Sequence, residues 1–155
     1  MKKINKSLIL LFLFMIFLTT GCKKKDNVTA DQFKKYMEKK GYVIVNKKDN
    51  IYNNKYFNNV YYAVEKEEKY TIQFFELKDE ASSKVFYNNL KKDISNSKVN
   101  KYKENSKSIS NYSYYELSYN NNYKKVSRIN NTIIYINTDI AYSKIINRQL
   151  KNLEF

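Results

Sequence analysis

Residues 112–137 read YSYYELSYNNNYKKVSRINNTIIYIN, and the punctuation of this stretch decides the fold. Asn120-Asn121-Asn122 and Asn130-Asn131 divide it into three runs, at residues 112–119, 123–129 and 132–137. Asparagine tolerates the positive φ that tight hairpins need, so both breaks are read as turns between antiparallel strands. Ile133, Ile134, Tyr135 and Ile136 are continuously apolar, as expected of a central strand covered on both faces.

Working outward, Val60, Tyr62 and Val64 alternate with Tyr61, Ala63 and Glu65, the pattern of a half-buried strand. A charged turn at 66–69 leads into a second strand at 70–77, dense in Ile72, Phe74, Phe75 and Leu77. Residues 42–45 form a further short strand. Three helices accompany these strands. In the first, over 30–40, Thr29 and Gln32 form a capping box and Val28 with Phe33 the hydrophobic staple. Gly41 fits the left-handed position after that helix, with Tyr42 reaching back to Met37. The second helix starts at Asp79 with an apolar stripe of Ala81, Val85, Phe86, Leu90 and Ile94. The last is capped by Thr138 or Asp139 and buries Tyr142, Ile145, Ile146, Gln149, Leu150 and Leu153. Residues 95–108 carry little apolar content and read as a flexible loop. The order is α-β-β-β-α-β-β-β-α, which can be read as a tandem αβββ unit. The fold class is therefore α+β, a mainly antiparallel sheet of about six strands with helices packed on one face.

The first residues carry a different kind of signal. Lys2, Lys3 and Lys6 precede eleven unbroken apolar residues from Leu8 to Leu18, and Thr19-Thr20-Gly21 leads into Cys22, the only cysteine. The apolar run suits the ~7–15 residues of an export signal and falls short of the ~20 needed to span a bilayer. Leu18-Thr19-Thr20-Gly21-Cys22 resembles the lipobox of bacterial lipoprotein precursors, with Thr19 where leucine is commonest. That resemblance implies a signal peptide at 1–21, cleavage before Cys22, and a diacylglyceryl group on the Cys22 thiol. The protein is then held at the outer face of the cytoplasmic membrane, since two acyl chains anchor stably where one does not. Residues 22–27 become a lipidated tether and 28–155 a single extracytoplasmic domain. The tether lysines favour anionic headgroups by about 1 kcal/mol each near the surface.

Composition narrows the chemistry. Removing 1–21 leaves 134 residues, enough for one domain with a core, and lowers the formal charge from +14 to +11. Lys, Asn, Ile and Tyr supply 80 of the 155 residues. All four use AT-rich codons, which discounts arguments from basicity alone. Without histidine the chain lacks the usual general base and the commonest metal ligand. Without a second cysteine it lacks disulfides and redox chemistry, and no cofactor or metal is expected. Proline is absent and Gly41 is the one glycine outside the signal segment, so no phosphate-binding glycine loop exists.

Any catalysis would rest on carboxylates. Glu65, Glu76, Glu116 and Asp139 fall in or beside strands, where the bland reading makes them solvent-facing partners of lysines. Arg128 is one of two arginines. Its planar fork suits a bidentate carboxylate, for which an internal partner such as Glu76 or Glu116 is the simpler account. Tyrosines crowd both parities of the strands, so some must face outward. Tyr61, Tyr114 and Tyr123, together with Arg128, are the candidate binding residues. The expected role is a membrane-anchored binding module for an anionic cell-wall polymer, a glycan or an envelope protein. The extracytoplasmic compartment argues against nucleic acid. A small envelope hydrolase with paired carboxylates is the alternative, and a cleft holding two inward carboxylates would mark it. An exposed apolar patch would instead mark an accessory subunit of an envelope complex.

Overall fold

The computed structural model describes residues 24–155; the signal segment and Cys22 lie outside the described residues. The meander read from the asparagine breaks is present and longer than expected. It comprises β4 (Tyr102–Ile109), β5 (Tyr112–Tyr119), β6 (Asn122–Ile129) and β7 (Thr132–Asp139), each eight residues long. Two-residue turns join them, and the first residue of each turn, Ser110, Asn120 and Asn130, has a positive φ. Upstream lie α1 (Ala30–Lys39), β1 (Val43–Asn46), β2 (Phe57–Val64), β3 (Thr71–Leu77) and α2 (Glu80–Asn96). A short 3-10 turn, Ile140–Tyr142, leads into α3 (Ser143–Asn152).

All seven strands form one antiparallel sheet in the order β1-β2-β3-β7-β6-β5-β4. Three expectations need correction. The sheet has seven strands rather than six, because β4 occupies much of the stretch read as a loop. As an edge strand it exposes every side chain except the half-buried Ile109, so no apolar alternation announces it. The second unit accordingly has four strands, and the tandem αβββ reading does not hold. The helices also cover both faces. On one, Phe33 and Met37 of α1 and Ile146 and Leu150 of α3 pack with Ile72, Phe74, Ile134 and Ile136. On the other, Tyr87 and Ile94 of α2 pack with Val60, Phe75, Leu117, Val126 and Ile133. Successive strand residues point to opposite faces. The pairs Phe74-Phe75 and Ile133-Ile134 therefore require two cores, as the continuous apolar run of β7 already implied. Strand β7 is the fourth of the seven.

The helix ends follow local chemistry. Thr29 Oγ1 accepts from the Gln32 N–H at 3.2 Å, and Gln32 Oε1 accepts from the Thr29 N–H at 2.8 Å. At the other end Tyr42 N–H donates to Met37 O and Gly41 N–H to Glu38 O, a Schellman closure that places Gly41 at φ +86°. Asp79 caps α2 through the Ser82 N–H at 2.7 Å. The buried stripe of α2 is rotated from expectation. Ser83, Tyr87 and Ile94 are buried, whereas Ala81 and Val85 are exposed. Ser83 takes the inward position, where its hydroxyl donates to Asn130 O in the β6–β7 turn. In α3, Ile146 and Leu150 are buried while Ile145 is partly exposed, and Asp139 caps the preceding 3-10 turn.

Candidate functional site

One row of side chains crosses six strands beneath α2. In register order it reads Ser108, Ser113, Arg128, Ile133, Phe75 and Val60. Its apolar half is core. Beside its polar half, where two serines stand next to Arg128, a pocket of about 440 Å³ lies under the helix. Helix α2 lines the opposite wall with Lys84, Asn88 and Lys91, spaced at one helical face, and with buried Tyr87. Ser106 and Ser110 add to the rim, and Lys107 and Tyr114 contribute backbone, their side chains lying on the other face of the sheet.

The pocket presents donors. Arg128 is 3% exposed. Its Nη1 donates to Asn130 O at 2.9 Å and lies 3.5 Å from Glu80 Oε1. Glu80 is shared with Lys84 at 3.0 Å, so one half-exposed carboxylate faces two cations. Lys91 Nζ lies 5.5 Å from the Tyr115 ring, and the Ser108 and Ser113 hydroxyls stand 3.0 Å apart. Burial pushes the Tyr87 phenol up to about 12, while the Arg128 charge works against that shift. Among the described residues, no carboxylate lines the pocket. A guanidinium, ammonium groups and hydroxyls around a hollow suit an oxyanion, through charge-assisted hydrogen bonds.

The candidate residues do not gather as one set. Tyr114 borders the pocket only with its backbone, its ring lying on the other face with Lys125 Nζ 5.2 Å from its centroid, whereas the pocket holds Arg128. Its internal carboxylate is Glu80, not Glu76 or Glu116. Tyr123 is buried on the other face, where its hydroxyl donates to Glu116 Oε2 at 3.0 Å and accepts from Asn147 Nδ2 at 2.9 Å. Burial raises the Tyr123 pKa, and the Glu116 charge adds to the rise. Tyr61 is half-buried on β2 against the α1 core. The four strand carboxylates are also separate. Glu76 accepts from Asn59 at 2.6 Å, Glu65 from the Glu67 N–H, and Asp139 from the Ala141 N–H. Glu116 lies 3.3 Å from Lys125 Nζ, which also donates to Asn147 Oδ1 at 2.7 Å. Burial lowers the Lys125 pKa against the opposing pull of Glu116.

Lys84 and Lys91 fall outside the apolar stripe of the second helix, so the sequence pattern leaves them on its polar side. Ser108 and Ser113 give no such signal, because small hydroxyls in an edge hairpin carry no pattern of their own. A second hollow, of about 590 Å³, is apolar and lies between residues 51–57 and the start of α2. Among the described residues, no helix is long and apolar enough to cross a membrane, and no three of His, Cys, Asp and Glu gather as metal ligands. Comparison with protein-family models, curated proteins and solved structures finds no significant match.

Proposed function

We propose that this chain is a lipid-anchored extracytoplasmic module that binds an anionic ligand in the pocket between α2 and the β4–β5 hairpin. The observation that carries the binding is the carboxylate-free pocket around buried Arg128. The anchor rests on the N-terminal sequence, in which Cys22 ends an export-length apolar segment. Together they select ligands of the cell envelope that bear phosphate, sulfate or carboxylate. Anionic wall polymers and glycans meet that description, as does an acidic patch on an envelope protein.

Polyphosphate serves as a test ligand for the purified protein. The Lys84→Gln/Lys91→Gln double variant removes two exposed charges and should bind roughly tenfold more weakly. Added salt should weaken binding to the unmodified chain. Equal affinity of the two proteins would overturn the assignment of the pocket. For the anchor, Cys22→Ser should release the protein from membranes or leave an unprocessed precursor; normal processing with full membrane retention would rule out lipidation.

A further inference from the structure

The residues next to the proposed lipid attachment are clasped to one end of the sheet. Lys25 N–H donates to Asn111 Oδ1 at 3.1 Å, and Asn111 Nδ2 donates back to Lys25 O at 2.7 Å. The Lys25 ammonium sits 3.9 Å from the Tyr112 ring centroid and donates to Glu154 O at 2.8 Å. Two residues later, Asn27 Nδ2 donates to Asn131 Oδ1, and Asn27 Oδ1 accepts from the buried Thr132 hydroxyl, both at 3.0 Å. Lys25 and Asn27 therefore lie against the 110–111 and 130–131 hairpin turns.

The apolar groove is at the same end. Asn131 Nδ2 donates to Leu77 O, and Leu77 N–H donates to Asn131 O, each at 2.8 Å. Leu77 is a wall of the groove, so one asparagine separates tether from groove. Tyr52 on its rim is 90% exposed and Val85 62%. Tyr56 stands beside them with Lys55 Nζ 5.3 Å from its ring. Among the described residues, no charged side chain lines the groove. Tyrosine beside lysine over an apolar floor matches the water–lipid boundary, where rings sit at headgroup level and ammonium groups reach outward.

Reach decides what occupies it. From Cys22 to clasped Lys25 the chain spans at most about 11 Å, three residues at full extension. A thiol acylated in a bilayer thus holds this end of the sheet against the headgroups. We infer that the domain docks end-on to the lipid bilayer, with Tyr52, Tyr56 and Val85 seated in the headgroup layer beside the tether. This orientation rests on the lipoprotein reading, and it leaves the 64–71 and 119–122 ends of the hairpins pointing away from the membrane.

Position-specific labelling tests it, because Cys22 is the only cysteine and is blocked when acylated. Full-length acylated protein carrying Tyr52→Cys or Lys101→Cys is labelled with a fluorophore and reconstituted into phosphatidylglycerol vesicles containing headgroup-region quencher lipids. Mass spectrometry first establishes acylation of Cys22. The label at 52 should be quenched several-fold more than the label at 101, which lies at the far end. Val85→Asp in the Tyr52→Cys background should reduce that quenching without releasing the protein. Equal quenching at the two positions in acylated protein would overturn end-on docking while leaving the anchor intact. A mass without the lipid would remove the anchor, and the docking with it. Protection of position 52 from aqueous iodide without lipid quenching, seen only when other envelope proteins are added, would place a protein in the groove and also overturn the proposal.

Discussion

Two rows of side chains cross the sheet on opposite faces, and both turn polar beyond β7. On the α2 face the row ends in Arg128, Ser113 and Ser108; on the α1 and α3 face it ends in Lys125, Glu116 and Asn105. Their outcomes differ. Lys125 and Glu116 close on each other under α3, with Asn147 and Tyr123 completing the set. Arg128 meets only a shared, half-exposed Glu80 and a turn carbonyl, and faces a hollow. A closed polar set stabilises one arrangement of the core, whereas an open one keeps donors for something that arrives later. Similar composition on one hairpin thus yields packing on one side and a candidate site on the other.

Alkali should give the largest separation. Burial raises the pKa of Tyr42, Tyr87, Tyr112 and Tyr123, with Tyr87 and Tyr112 pushed up to about 12. A raised folded-state pKa gives stability that is complete below the unfolded value near 10 and is lost as pH rises towards the folded one. Melting temperature should therefore fall steeply above pH 10. Tyr123→Phe should remove more of that fall than Tyr87→Phe, because Arg128 favours the phenolate only at Tyr87. A flat profile to pH 11, or equal effects of the two variants, would erase the contrast. Lys125 acts in the opposite sense. Its folded pKa is lowered, so between that value and 10.5 the unfolded chain holds more protons and this residue adds stability as pH rises.

Substitutions on the two faces sharpen the comparison. Glu116→Ala leaves the Lys125 ammonium and the Tyr123 hydroxyl short of an acceptor, and should cost about 2–3 kcal/mol in urea denaturation. Adding Lys125→Met should recover part of that loss, since the orphaned charge goes too. Arg128→Gln should cost less, about 1 kcal/mol, while abolishing most polyphosphate binding. Lys91→Gln should change stability by less than about 0.5 kcal/mol yet weaken binding. A pocket variant that destabilised as much as Glu116→Ala would make Arg128 a packing residue.

The sequence made some of this plain and hid the rest for physical reasons. The asparagine turns, the capping box at Thr29 and the left-handed Gly41 are local chemistry, and each appears where it was read. The edge strand β4 left no trace, because its backbone is held by β5 while its side chains face water. Ser83 broke the stripe of α2, and the carbonyl its inward hydroxyl meets, on Asn130, lies 47 residues away. The pocket was hidden for the same reason. Arg128 stood out as a rare arginine, but its neighbours Ser113 and Lys91 come from other elements and meet it only once the register is set. Tyr123 looked like a surface aromatic until α3 covered it.

The pocket itself can be tested with inorganic phosphate and residue-resolved NMR. If the account is right, phosphate moves the amide signals of Ser108, Ser113 and Arg128 together with those of α2 around Lys84 to Lys91, along one saturating curve. Shifts scattered among surface lysines, or none at Arg128 at saturating phosphate, would contradict it.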